Sequence, residues 1–415
     1  YSQTTGAQNT NLGFEAGYSA TTGGSNTVLG YQAKKNGNNS QMVAIGNQAA
    51  TSGGGTWSVV VGSFAGQNST SNEAVAVGAS AGKSSTSQGV ISIGNNAQRE
   101  LTSGGSCVSI GFQAGYYNTT SSYNTNLGHY AGKSGTGASN TFVGASSGSG
   151  NNSSTSSDNT GVGKWSLLSY TTGGNNSALG SEAGRRITTG ADNTCIGAFA
   201  GDALTTSADN TFIGRGAGTS ANASGTNGKN TGVGRSALSD LSSGTNNSAP
   251  SLSSGSNNVM IGYQADVSTG AASNQNSFGY SASCSGDNQV TLGNSSIGTL
   301  RCQATSITSV SDERDKTEIE DLGYGLAFID ALQPRQFVWD NRAEIDGDGN
   351  EYFSANKGKK DFGFVAQEVK ELDNDTLRLV YDEDPNRLEL SYGKLVPILV
   401  KAIQELKEEV EILKS

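Results

Sequence analysis

Over its first 300 residues the chain repeats one short pattern of apolar and polar positions. An apolar residue followed by glycine recurs at Gly13, Gly30, Gly46, Gly62, Gly78, Gly94, Gly111, Gly128, Gly144, Gly163, Gly180, Gly197, Gly214 and Gly234, then at Gly262, Gly279 and Gly293. The gaps are mostly 16 or 17 residues. The unit reads Asn-Thr-x-apolar-Gly-x-x-Ala-Gly, then a Ser/Thr/Gly loop, as in Asn193 to Gly201 and Asn210 to Gly218. Each unit holds one short apolar stretch, such as Val43-Ala44-Ile45, Val59-Val60-Val61, Val75-Ala76-Val77 or Ile91-Ser92-Ile93. Period-two alternation in so short a run predicts a strand. One strand buries too little surface alone, so a fixed period predicts rungs that stack into a continuous core.

A degenerate copy lies at Asn246-Asn247-Ser248-Ala249-Pro250-Ser251, where Pro250-Ser251 replaces apolar-Gly. With the 17 glycine-marked copies it makes 18 expected rungs. At ~4.8 Å per rung the array would be roughly 85 Å long. Pro250 predicts an interrupted strand, because proline has no N–H for the ladder. The recurrent glycines suit corners with positive φ or close backbone approach between chains. Asparagines before each strand suit side-chain ladders or turns. Such regular punctuation argues against a flexible Gly/Ser linker. A hydrophobic content of 33% is thin for a lone solenoid, and three chains about one axis would bury more.

The pattern changes after residue 300. An amphipathic helix is expected from Tyr324 to Leu332, stopping before Pro334. Strands are expected at Gln336-Phe337-Val338-Trp339 and at Phe362-Gly363-Phe364-Val365-Ala366, the second leading into Gln367-Glu368-Val369. Asp346-Gly347-Asp348-Gly349-Asn350 lacks the later glycine and glutamate of a calcium loop and reads as a hairpin loop. Val396, Leu399, Ile403, Leu406, Val410 and Leu413 step by 3, 4, 3, 4, 3, with Lys401, Glu405, Lys407, Glu408 and Glu409 outside that seam. This is a coiled-coil heptad. The expected organisation is a fibre over 1–300, a junction over 301–310 and a small α+β domain over 311–415. The fold class is mostly β: a trimeric β-solenoid or β-roll, or a triple-stranded β fibre, ending in a coiled-coil helix.

Charge follows the same division. Residues 1–300 hold 11 basic and 11 acidic residues, so the remainder holds 26 − 11 = 15 and 36 − 11 = 25, which is the whole net charge of −10. Of 59 glycines, 52 precede residue 301. No basic surface able to track phosphates is expected, which excludes nucleic acid as a partner. No apolar run is long enough to span a membrane. The chain begins at Tyr1 and reads as a piece of a longer protein. Cys107, Cys195, Cys284 and Cys302 lack metal or redox spacing and read as free packing residues, so no metal or cofactor is expected.

Chemistry in the repeats is sparse. A glycosidase site needs two facing carboxylates, and Asp192 and Asp209 stand one rung apart in equivalent positions that the repeat itself explains. His129, the single histidine, reads as a surface turn. Trp57, Trp165, Tyr116, Tyr117, Tyr130 and Tyr170 are candidates for stacking against sugars or for plugging the solenoid edge.

Ser311-Asp312-Glu313-Arg314-Asp315-Lys316 stands where the two compositions meet. A serine hydroxyl is a weak nucleophile until a base takes its proton, and a desolvated lysine can do so. Five residues apart, both side chains can converge on a turn. By spacing alone, Ser311 followed by acids also reads as a helix N-cap.

That stretch, followed by Ala331 to Trp339 (ALQPRQFVW), Gly363 to Val369 (GFVAQEV) and Leu390 to Lys407 (LSYGKLVPILVKAIQELK), resembles the C-terminal intramolecular chaperone of phage tailspikes and tail fibres, of which endosialidases are carriers. The repeats resemble the heads of trimeric autotransporter adhesins and phage fibres. The resemblance implies a homotrimer, a chaperone that templates folding of the fibre, and self-cleavage at Ser311–Asp312. It implies Ser311 as nucleophile and Lys316 as base, with Glu313 and Arg314 as supporting motif. Asp315 departs from the apolar residue usual there, and a carboxylate beside Lys316 would favour its charged form. The function so implied is a virion tail fibre or tailspike that contacts a cell-surface glycan. The alternatives are a bacterial trimeric surface adhesin and a glycan-degrading tailspike.

Overall fold

In the computed structural model the chain forms two compact units, Tyr1–Leu292 and Gly293–Ser415. The structure describes residues 4–151, 154–219, 228–238, 255–301, 311–340, 344–345, 351–352, 356–373, 376–382 and 388–415. The junction residues 302–310, Cys302 among them, and the loop 346–350 lie outside the described residues.

The first unit is a β-solenoid. Its 17 strands form one parallel sheet, from Thr10–Leu12 to Val290–Leu292. Each strand pairs with the next copy in the same chain, as in Thr194↔Thr211, Cys195↔Phe212 and Ile196↔Ile213. The corners stack too: Gly17 N–H donates to Ala33 O at 3.0 Å and Gln32 N–H to Phe14 O at 2.8 Å. A rung therefore closes within one chain, and the triple-stranded alternative does not describe this unit.

Only the middle residue of each three-residue strand points inward, among them Val28, Ala44, Phe142, Cys195, Phe212 and Met260, all buried. The repeat's alanines, such as Ala16, Ala33, Ala49 and Ala65, complete the core. Small side chains suffice because the core is narrow and continuous along the stack. A core of small residues thus closes each rung at a hydrophobic content of 33%.

The residue just before each strand from Thr27–Leu29 to Asn276–Phe278 is also buried. At Asn124, Asn140, Asn159, Asn176, Asn193, Asn210, Asn230 and Asn258 it forms a ladder. Each side-chain carbonyl accepts the next asparagine's backbone N–H, for example Asn176 from Asn193 at 3.1 Å and Asn193 from Asn210 at 3.1 Å. From Asn176 to Asn258 the next side-chain amide donates to the same oxygen. Buried amides are tolerated here because each is satisfied in both directions. Met42, Ser58, Ala74, Val90 and Cys107 take this place in earlier rungs. Cys107, Cys195 and Cys284 are free and buried, and burial pushes the Cys195 thiol up to about 12.

The signature glycines form a second ladder. Gly163 has φ +130°, and a Cβ there would lie 2.4 Å from Gly180 O; the same close approach recurs along the stack. The approach is between successive rungs of one chain. The described residues form 17 rungs, and strand Thr231–Val233 pairs directly with Val259–Ile261. The copy at 246–251 carries Ser251 where the corner requires glycine and Pro250 where the ladder requires an N–H. Residues 246–251 themselves lie outside the described residues.

Lys34 is a polar side chain enclosed by the solenoid. Its ammonium donates to Gly37 O at 3.0 Å, and burial pushes its pKa down to about 8. Between about 8 and 10.5 the unfolded chain holds a proton that the folded chain has released, so stability rises with pH across that window. Lys34→Met is expected to abolish that rise and to increase the unfolding midpoint at pH 7 by a few degrees. Thermal melts from pH 7 to 11 check this.

The outward strand positions are the reverse of a solvated sheet. The third residue is large and apolar in all 17 strands: Leu12, Leu29, Ile45 and onward to Ile261, Phe278 and Leu292. None of these is fully buried, and Leu12, Leu179 and Leu292 are among the most exposed. The first residue is Thr, Val, Ile, Ser or Asn, so no charge stands on the sheet face.

The second unit is α+β. Its helices are α1 (Leu326–Ala331), α2 (Ala366–Asp373) and α3 (Leu395–Lys414). Antiparallel pairs join Arg335–Val338 to Lys360–Gly363, Glu344–Ile345 to Glu351–Tyr352, and Val380–Tyr381 to Glu389–Leu390. The Glu344–Tyr352 pairing is the hairpin expected around 346–350. α1 is shorter than expected and α2 begins inside the expected second strand. Leu332, Val369, Leu379, Val380, Leu395 and Ile398 form the core. Buried Asp373 accepts from the backbone N–H groups of Leu377 at 2.6 Å and Leu379 at 2.7 Å, which ties the end of α2 to that core. Pro397 sits in the first turn of α3, where its missing N–H costs nothing. The heptad residues Val396, Leu399, Ile403, Leu406, Val410 and Leu413 are exposed, on the face of α3 that adjoins buried Leu395, Ile398 and Ala402.

Candidate functional site

The sequence stretch Ser311 to Lys316 folds as one tight turn. Glu313–Asp315 form a single 3-10 turn, and the cap is Asp312, not Ser311. The Asp312 carboxylate accepts the Arg314 N–H at 2.9 Å. The Arg314 guanidinium returns to it with two bonds, Nε at 3.0 Å and Nη2 at 2.7 Å. That paired charge holds the Asp312 carboxyl below the usual carboxylate range. The Lys316 N–H closes the turn on Glu313 O at 3.0 Å.

The turn brings the two proposed reactive side chains together. Lys316 Nζ lies 2.6 Å from Ser311 Oγ and 3.1 Å from Ser311 O. The helix-cap reading of Ser311 is therefore replaced: its hydroxyl faces the lysine amine, the geometry in which a neutral amine takes a hydroxyl proton. The same amine touches the carbonyl oxygen of the Ser311–Asp312 bond, where a cation polarises that bond. Among the described residues Asp315 makes no ion pair with Lys316. Glu313 is exposed and stands in the turn without a bond to either reactive side chain.

The aromatics of the solenoid separate into two groups. Tyr170 is fully buried against Phe142, with ring centroids 5.2 Å apart, and is excluded from sugar contact. Trp57 is 61% exposed, and Trp165 carries Lys164 Nζ 3.8 Å from its ring centre. Tyr116, Tyr117 and Tyr130 fall on adjoining rungs, with Phe112 and His129 among them. Phe112 and His129 each follow a signature glycine, so aligning the repeats would have placed them side by side. His129 is exposed at that corner. Asp192 and Asp209 occupy the same left-handed corner position before successive strands, with φ of 57° and 59°. Among the described residues no group of His, Cys, Asp and Glu could hold a metal ion, and no helix is long and apolar enough to cross a membrane.

Residues 311–378 match the model of the Peptidase S74 family, described as the chaperone of endosialidase. The C-terminal unit carries a chaperone-of-endosialidase domain. The match begins at Ser311, so the Ser311–Lys316 turn is the first feature of that domain. No curated protein matches the chain. A chaperone-of-endosialidase domain behind a long β-solenoid fits a phage tailspike-like protein.

The Asp312–Arg314 clamp shapes the turn without touching Ser311 Oγ. Arg314→Ala is expected to loosen the turn and so to slow, without abolishing, any cleavage that the Ser311–Lys316 pair performs. A time course of fragment appearance checks this.

Proposed function

We propose that this chain is a homotrimeric phage tail fibre or tailspike that attaches to the host surface, and that its C-terminal domain assembles the trimer and then cuts itself off at Ser311–Asp312. The observation that carries the cleavage reading is Lys316 Nζ 2.6 Å from Ser311 Oγ, at the start of the family match. Lys316 takes the hydroxyl proton. Ser311 Oγ forms a bond to the carbonyl carbon, the C–N bond breaks, and the proton passes to the Asp312 amine. Water then hydrolyses the ester. Attack on its own carbonyl would close a strained small ring, so the attacked Ser311–Asp312 bond belongs to a neighbouring copy.

Two surfaces support the trimer. The exposed heptad of α3 suits a short coiled coil that sets register. The uncharged apolar stripe of the solenoid has a repeat that another copy of this chain matches rung for rung. At roughly 60 Å² per rung, 17 rungs offer on the order of 1,000 Å² per copy, the scale of a stable interface.

Intact mass and light scattering test both parts. A break after Ser311 gives fragments of 311 and 415 − 311 = 104 residues. The expected result is those two masses and a body three times the fragment mass. A single uncut chain that stays monomeric would sink the reading. A truncated chain ending at Ser311 is expected to yield aggregated or monomeric body, and soluble heat-resistant trimers from it would remove the chaperone role.

A further inference from the structure

We propose that Phe112, Tyr116, Tyr117 and Tyr130, flanked by Arg99 and Lys133, form a binding ledge on the solenoid for an anionic glycan, one bearing carboxylate or sulfate groups. The inference rests on the attachment reading and gives it a site.

The ledge spans the three successive rungs marked by Gly94, Gly111 and Gly128. Phe112 stacks on His129 with ring centroids 5.4 Å apart and 15° between planes. Tyr130 packs edgewise on Phe112 at 5.4 Å, and Tyr117 packs edgewise on Tyr116 at 4.5 Å. These contacts fix the rings against one another, so little side-chain freedom remains to be lost on binding. Phe112 and Tyr117 are each 39% exposed. The rung after the ledge carries Ala145, Ser146, Ser149 and Gly150 at the equivalent positions, small residues that leave the rings standing proud.

The chemistry selects the ligand. A sugar ring offers one face of C–H bonds and an edge of hydroxyls, which suits an aromatic face with phenolic hydroxyls at its rim. Two cations flank those faces. Arg99 Nη1 donates to the Tyr116 hydroxyl at 2.6 Å, and its guanidinium carbon lies 5.6 Å from that ring centre. Lys133 Nζ lies 4.6 Å from the centre of the Tyr130 ring. Among the described residues Lys133 forms no ion pair, so its charge is met by a ring face and stays available to an anion. Glu100 faces Arg99 Nε at 3.4 Å, on the side away from the Tyr116 bond. The uncharged strand stripe has none of this polarity. At Trp165 a cation is also present, Lys164 Nζ 3.8 Å from the ring centre, but among the described residues no second aromatic ring packs on that indole.

The test uses the cleaved trimer immobilised on a sensor, with oligogalacturonate, chondroitin sulfate oligosaccharide and dextran oligomers as probes. Binding of at least one anionic probe is expected, weakening with added salt, with dextran silent. Tyr116→Ala and Lys133→Glu should each lower that affinity at least tenfold with melting curves unchanged, while Trp57→Ala, far along the stack, should leave it intact. The carboxylated and sulfated arms distinguish the two anion classes. Equal binding of dextran, no binding of either anionic probe, or unchanged affinity in both variants overturns the site. Cell attachment that survives Lys133→Glu also overturns it and leaves the attachment reading standing.

Discussion

Ser311→Ala is expected to leave the 415-residue chain in one piece, and Lys316→Ala to slow its cleavage by about 10²–10⁴, the usual contribution of a positioned general base. The Ser311 variant loses the atom that attacks. The Lys316 variant keeps that atom and loses both its base and the cation on the Ser311 carbonyl oxygen, which lie 2.6 Å and 3.1 Å from the amine. Both residues are exposed in a short turn, so neither change touches the core of the second unit, and both variants should still form trimers. Lys316→Arg keeps the charge and the polarising contact but cannot release its proton. It should therefore cleave as poorly as the alanine variant, which separates the base role from the electrostatic one. Mixed trimers decide whether the attack passes between copies. A mass-tagged Ser311→Ala chain assembled with wild-type partners should be cut, because a partner supplies the hydroxyl. Fragment masses on a denaturing gel read all four outcomes. Equal cleavage by wild type and both alanine variants would remove the Ser311–Lys316 pair from the chemistry.

Gly163→Ala is the second large effect, expected to destabilise the solenoid by about 3–5 kcal/mol, combining a backbone region closed to L-residues with overpacking against the next rung. Its φ is +130°, and the new Cβ would stand 2.4 Å from Gly180 O. The clash is with backbone, so no side chain can turn aside. The rungs on both sides must part, and in a stack of nearest-neighbour interactions the damage spreads along the fibre. Gly66→Ala is the control. Its φ is +49° and the nearest atom to a new Cβ is Val60 Cγ1 at 3.3 Å. Ala50, Leu167 and Leu238 already occupy that corner in other rungs with similar φ. That substitution should cost about 1 kcal/mol or less. Thermal unfolding midpoints and protease nicking near the substituted rung measure the difference. Equal effects from the two changes would show that the corner glycines are not the constraint that holds the stack.

The repeat was legible because a solenoid writes its geometry into a period. Val43–Ile45, Val59–Val61, Val75–Val77 and Ile91–Ile93 are strands as their alternation predicts. The chemistry at the junction was legible in part: five residues of spacing allow a serine and a lysine to meet, and the spacing equally allows a cap. The outcome depended on which side chain captured the turn's free N–H. Asp312 does so, and the Ser311 hydroxyl is left to Lys316.

By itself the sequence determined the strands, the glycine corners, the free Cys107, Cys195 and Cys284, the heptad pattern on α3 and the change of composition near residue 300. Each of these follows from short-range sterics or from periodicity, which a chain carries locally. Only the tertiary structure decided that a rung closes within one chain, that Tyr170 is core while Tyr116 and Tyr117 share one ledge, and that Thr231–Val233 pairs directly with Val259–Ile261. It also decided which strand residues face inward, and so left a large apolar side chain outside on all 17 rungs. Those outcomes depend on residues one repeat apart meeting across the stack, where the ~4.8 Å spacing of neighbouring strands sets what can touch. At the Ser311–Lys316 turn the same division holds. Its residue types lie in the sequence, and the 2.6 Å contact that gives them a use lies only in the fold.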